Sequence, residues 1–124
     1  MNKIIISGNL CADPELQYVG GGQVAKCTFR LAVQRRFANA QGVREADFLN
    51  IVCWKGTAES AGRYLRKGSK VLVSGSVQER SWEKDGQRRY VVEIVADEVE
   101  FLSAGAEKEK IPFVQVDDEE TPWG

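Results

Sequence analysis

The chain has 124 residues, 43% of them hydrophobic, which suits one ordinary domain around one small core. Its net charge of −1 sets 17 basic against 18 acidic side chains, and no run approaches the ~20 apolar residues of a membrane span. There is no histidine, so the commonest general base and the commonest metal ligand are both excluded.

The charge is unevenly spread. Residues 1–104 hold 15 Lys and Arg against 12 Asp and Glu, a net +3, whereas residues 105–124 hold two lysines against six acids, a net −4. A mildly basic body can meet phosphate and an acidic end cannot; a solubilising tail on a neutral domain is the lesser alternative. The run Ile4-Ile5-Ile6 is too short for a signal peptide and no cleavage site follows, so a cytoplasmic protein is expected. Cys11, Cys27 and Cys53 form no CxxC pair and have no histidine beside them, so neither a metal nor a redox role is expected. Cys27 and Cys53 fall on apolar strand faces, where thiols pack as small hydrophobes.

Lys3 to Leu10 is rich in β-branched residues and reads as a first strand. Asp13-Pro14-Glu15 and Gly20-Gly21-Gly22 are turn chemistry on either side of Leu16-Gln17-Tyr18-Val19, and the glycines mark a loop or hairpin tip. Val24 to Gln34 alternates as a second strand, with Ala25, Cys27, Phe29, Leu31 and Val33 on an apolar face and Lys26, Thr28, Arg30 and Gln34 on a wet one. A long loop through Arg35, Arg36, Phe37 and Arg44 follows.

Glu45 to Trp54 reads as the third strand, with Leu49, Ile51 and Cys53 on one face and Phe48, Asn50, Val52 and Trp54 on the other. At ~3.3 Å per residue the two rings of that second face stand about 20 Å apart. Such a surface suits a flat ligand, or equally the inside of a strand buried on both sides. Thr57 to Gly68 carries the signals of a helix: Thr57 at the N-cap, Glu59 in the first turn, Arg66 and Lys67 in the last, Gly68 beyond it. Ala58, Ala61, Tyr64 and Leu65 line its apolar face. Val71 to Trp82 forms the fourth strand, with Val71, Val73 and Val77 inward, Gly75 at a bend, and Arg80 and Trp82 facing the other way. Asp85-Gly86 is a hairpin turn, and Arg88 to Phe101 closes the sheet as a fifth strand. Ser103 to Lys110 is small and charged, Ile111-Pro112-Phe113-Val114 is a short apolar island, and the tail as a whole is expected to be disordered on its own.

Five strands with one short helix between the third and fourth match an all-β OB-fold, a partly open Greek-key barrel that binds oligonucleotides or oligosaccharides. Phe37, Phe48, Trp54 and Trp82 lie outside the core pattern, with Arg35, Arg36, Lys55, Arg80 and Lys84 beside them. Rings alternating with cations suit single-stranded nucleic acid, whose bases stack on aromatics at about 1–3 kcal/mol each while cations track the phosphates. Catalysis has no foothold, since no Walker loop or nucleophile elbow is present and Glu45 and Asp47 read as surface charges. A non-enzymatic protein without cofactors is expected. An RNA- or protein-specialised OB module, or an oligomerisation domain whose rings are buried between subunits, stays open as a rival.

The segments Asp13-Pro14-Glu15-Leu16-Gln17-Tyr18, Phe29-Arg30-Leu31-Ala32-Val33, Arg35-Arg36-Phe37, Glu45-Ala46-Asp47-Phe48, Tyr64-Leu65-Arg66-Lys67-Gly68-Ser69 and Glu93-Ile94-Val95-Ala96-Asp97 closely resemble the bacterial single-stranded DNA-binding protein family. The likeness runs in one order from residue 1 to about residue 102. It implies an OB-fold DNA-binding domain over residues 1–104 and a flexible acidic tail over residues 105–124. It implies stacking by Phe37, Phe48, Trp54 and Trp82, and phosphate contacts from Lys3, Arg35, Arg36, Lys55, Arg66, Lys67 and Arg80. A homotetramer acting in DNA replication, recombination and repair is implied as well. So is a tip, Asp117, Asp118, Glu119, Glu120, Pro122 and Trp123, that docks replication and repair proteins. The chain departs from the family pattern at Asn9, where arginine is frequent, in its short linker, and at the tip, where Trp123 replaces the usual aromatic and Gly124 is added.

Overall fold

The computed structural model describes residues 1–103. They form β1 (Ile4–Leu10), β2 (Glu15–Val19), β3 (Val24–Gln34), β4 (Ala46–Trp54), α1 (Lys55–Tyr64), β5 (Lys70–Lys84) and β6 (Gln87–Ser103). The acidic segment, its tip residues and the proposed boundary at residue 104 lie outside the described residues.

The strands follow the order β1-β5-β6-β4-β3-β2, and β1 also pairs with β3 through Asn9↔Ala32 and Leu10↔Leu31. That second pairing closes five strands into a barrel and leaves β2 outside, on the edge of β3. The β4–β6 contact is parallel, through Asn50↔Glu93, Ile51↔Ile94 and Val52↔Val95. Strands adjacent in the barrel are thus not all adjacent in sequence, as a Greek key requires, and the architecture is the expected OB-fold.

Glu15–Val19 is a strand where the sequence reading saw only a stretch between turns. Gly20, Gly21 and Gly22 take φ of 66°, 80° and 83°, and their reversal lays Glu15–Val19 antiparallel on Val24–Thr28. The strand is too short for its own alternation to declare it, and pairing with a neighbour makes it one.

Alternation places the core as expected. Cys27, Leu31, Ile51, Cys53, Val71 and Val73 are fully enclosed. Gly8 and Gly75 let backbones approach closely: a β-carbon would lie 2.2 Å from the Ala32 carbonyl oxygen at Gly8 and 2.1 Å from that of Val95 at Gly75. The bend foreseen at Gly75 is a register shift between Ser74 and Gly75. Asp85 and Gly86, at φ 54° and 76°, make the tight turn that joins Lys84 to Gln87. Val77, expected inside, is exposed, because the β5–β6 hairpin runs on past the end of the barrel. Asn2 caps it there, its Nδ2 donating to the Val77 carbonyl at 2.7 Å and its Oδ1 accepting from the Val77 N–H at 2.9 Å.

The helix differs from expectation at both ends. It begins at Lys55, directly from β4, with no side-chain cap, and Lys55 takes φ 58°. A left-handed residue turns the strand into the helix, so Thr57 has no capping to do. It ends at Tyr64, leaving Arg66 and Lys67 in the following loop. There Ser69 Oγ accepts the Arg66 N–H at 2.9 Å and Asp13 Oδ1 accepts the Lys67 N–H at 2.8 Å. Those side chains take the donors that another helical turn would have used. Ala58, Ala61 and Leu65 are buried, whereas Tyr64 is half exposed, its ring 6.2 Å from that of Phe101.

Candidate nucleic-acid interface

Cross-strand register turns the outer faces of β3, β4, β6 and β5 into one surface, because directly paired residues point the same way. Its successive rows are Lys26↔Trp54, Thr28↔Val52↔Val95↔Ser76, Arg30↔Asn50↔Glu93↔Gln78, and Ala32↔Phe48. Phe48 is 52% exposed and Trp54 37%, while Ile51 and Cys53 on the opposite face are buried. Within one chain, then, the face with two rings looks outward. Val52, between them, is only 3% exposed and forms part of the floor.

Each ring has a cation close by. Lys26 Nζ lies 5.4 Å from the Trp54 ring centroid and the Arg30 guanidinium 5.1 Å from that of Phe48. Arg80 lies 4.9 Å from the Trp82 ring, and Arg36 5.5 Å from that of Phe37. These separations fall within the range of cation–π attraction. Lys26, Thr28, Arg30, Asn50, Val52, Arg80 and Glu93 line an open groove of about 340 Å³.

Three of the expected phosphate-tracking cations have carboxylate partners within the fold. Arg35 donates through Nη2 and Nε to Asp47 at 2.9 and 3.1 Å, with Glu45 3.5 Å away. The hydrogen bond from Arg35 holds the Asp47 carboxyl below the usual carboxylate range. Arg80 donates to Glu93 at 2.9 and 3.4 Å, and that bond likewise depresses the Glu93 carboxyl against the opposing effect of its burial. Lys3 Nζ lies 3.6 Å from Asp97.

The other expected residues are more scattered. Phe37 stands 76% exposed in the loop after β3, and Lys55 follows Trp54 at the start of α1. Arg66 and Lys67 lie in the loop after α1, which is tied to the β1–β2 connection through Asp13. Asn9, the residue that departs from the family pattern, donates through Nδ2 to the Gly68 carbonyl at 3.1 Å, so it braces this loop. None of Lys3, Arg36, Lys55, Arg66 or Lys67 lines the groove.

Lys26, Arg30 and Glu93 belong to the groove and were not foreseen as site residues. A signal existed for the two cations, since both alternate onto the wet face of β3. Only the β3–β4 register, however, sets Lys26 opposite Trp54 and Arg30 opposite Asn50.

The model of the Single-strand binding protein family matches residues 1–102. The chain is 48% identical to "Single-stranded DNA-binding protein 2" of Clostridium acetobutylicum, over 98% of this chain and 94% of that protein. It is 52% identical to "Single-stranded DNA-binding protein" of Bacillus cereus, over 82% of this chain and 60% of the relative. A protein of the same name from Clostridium tetani is 50% identical over 85% of this chain and 72% of its own length.

Proposed function

The chain belongs to the single-strand binding protein family, and we propose that it binds single-stranded DNA across the outer face of β3, β4, β5 and β6. The observation that carries this reading is the outward face of β4, with a ring near each end and a cation-lined groove between. Unpaired bases offer π faces to Phe37, Phe48, Trp54 and Trp82, whereas a duplex hides them. Phosphates run along Lys26 and Arg30 in the groove and along Arg36, Lys55, Arg66 and Lys67 outside it. Lys3, Arg35 and Arg80 also meet phosphate, but there DNA competes with the internal carboxylates. Stacking and backbone contacts read little sequence, so the protein coats single strands in general.

Residues 1–104 are the binding domain, and residues 105–124 are an acidic tail whose tip, Asp117 to Trp123, recruits replication and repair proteins in the cytoplasm at the nucleoid. The working unit is a homotetramer. Supporting assembly, Val77, Tyr90 and Val92 share one exposed apolar face of the β5–β6 hairpin.

The test is intrinsic tryptophan fluorescence during titration with oligo-dT, on a Trp123→Phe background that leaves Trp54 and Trp82 reporting. Quenching that saturates at a fixed nucleotide count, with duplex inert, is the expected result. A titration without quenching would mean that both rings are packed between subunits.

A further inference from the structure

We infer that Glu93 is a base-reading residue, a carboxylate on the groove floor that accepts a hydrogen bond from the exocyclic amine of cytosine and disfavours thymine at the same place. The inference rests on the groove being the single-stranded DNA site, and it gives that site a base bias.

Three observations lead to it. First, Glu93 lies inside the groove with its side chain only 17% exposed, between Asn50 on β4 and Gln78 on β5. An acid in the path of a polyanion repels phosphate, so what it can favourably meet in a bound strand is a base. Second, its row, Arg30↔Asn50↔Glu93↔Gln78, contains no ring and lies one row from Phe48 and two from Trp54. Bases stacked on those two rings leave hydrogen-bonding edges for the polar row between them. Third, the carboxylate is held in place and still has capacity. Arg80 occupies one site on each oxygen at 2.9 and 3.4 Å, and a carboxylate has about four acceptor sites.

The chemistry then separates the two pyrimidines. Cytosine presents an N4 amine, which a carboxylate accepts, whereas thymine presents its O4 oxygen there, acceptor against acceptor. Asn50 beside it does not discriminate, since an amide donates and accepts. Arg80 positions the carboxylate and itself meets phosphate.

The experiment measures binding of equal-length oligo-dC and oligo-dT to the full chain, its Glu93→Gln variant and its Arg80→Met variant, by anisotropy of labelled oligomers. Glu93→Gln is expected to shift the dC:dT affinity ratio toward dT by about threefold or more, a modest share of what one good base-edge contact gives. Arg80→Met should weaken both oligomers, through the lost phosphate contact, and dC more than dT, because the carboxylate is no longer held in place. A parallel change of dC and dT in Glu93→Gln overturns the inference and leaves Glu93 as a partner for Arg80 alone. An oligomer of N4,N4-dimethylcytosine provides a reading that needs no variant, because it has no N–H at that position. It should bind the wild-type chain about threefold more weakly than dC, and undiminished binding overturns the inference. Failure of dC and dT alike to bind the wild-type chain would instead remove the proposed function.

Discussion

Cys27 and Cys53 face each other across β3 and β4, on the side of the sheet opposite Lys26 and Trp54. Burial pushes the Cys27 thiol from 9.0 up to about 11, and burial together with the charge of Cys27 pushes Cys53 to about 12. The thiolate is the nucleophile, so the native pair should stay unreactive at mildly alkaline pH. Labelling with a thiol reagent at pH 8 is expected to modify Cys11, which is partly exposed, and to reach Cys27 and Cys53 only after unfolding in urea. If native Cys53 reacts as fast as Cys11, the two thiols are not sealed in the core. Alternation assigned both cysteines to the apolar face correctly. That they are direct neighbours is a fact of strand register, which no local pattern contains.

At the scale of elements, the barrel closes where backbones touch. Gly8 sits where β1 passes from β5 onto β3, and Gly75 where β5 bends over β6. The atoms that a methyl group would meet there are carbonyl oxygens of neighbouring strands, which cannot move aside cheaply. Gly8→Ala and Gly75→Ala are therefore each expected to cost about 1–3 kcal/mol or more in a urea titration, against almost nothing for exposed Ser7→Ala. Equal midpoints for all three would mean that the strands can part without loss. Gly75 was legible in advance, because a glycine inside a strand pattern signals a bend. Gly8 was not, since its partner carbonyl comes from 24 positions away in the β1–β3 contact. The helix shows the same division: its alanines marked the buried face, but its ends are set by Ser69 and Asp13 outside it and by the left-handed turn at Lys55.

Across the whole molecule, the groove's affinity should depend on which cations are free to release counterions. For single strands each neutralised phosphate adds about 0.7 to the slope of log affinity against log salt. Lys26→Ala and Arg30→Ala are each expected to flatten that slope by about 0.7. Arg35→Ala should change it less, because Asp47 and Glu45 already neutralise that guanidinium. A larger loss from Arg35 than from Arg30 would show that the internal pairs open fully on binding. Either slope is measured by titrating oligo-dT at several salt concentrations.

The sequence by itself determined the barrel's core face, its hairpin turn at Asp85-Gly86, the helix between the third and fourth long strands, and the rings at Phe48 and Trp54. These features depend on periodicity and turn chemistry, which act over a few residues. Only the tertiary structure decided that Lys26 and Arg30 stand beside those rings, that Arg35 and Arg80 are paired with acids, and that Glu93 lies on the groove floor. Those relations arise from register between distant strands, including the parallel β4–β6 pairing that sets Asn50 beside Glu93. A single strand's alternation shows which way a side chain points, and the neighbouring strand determines what it meets there.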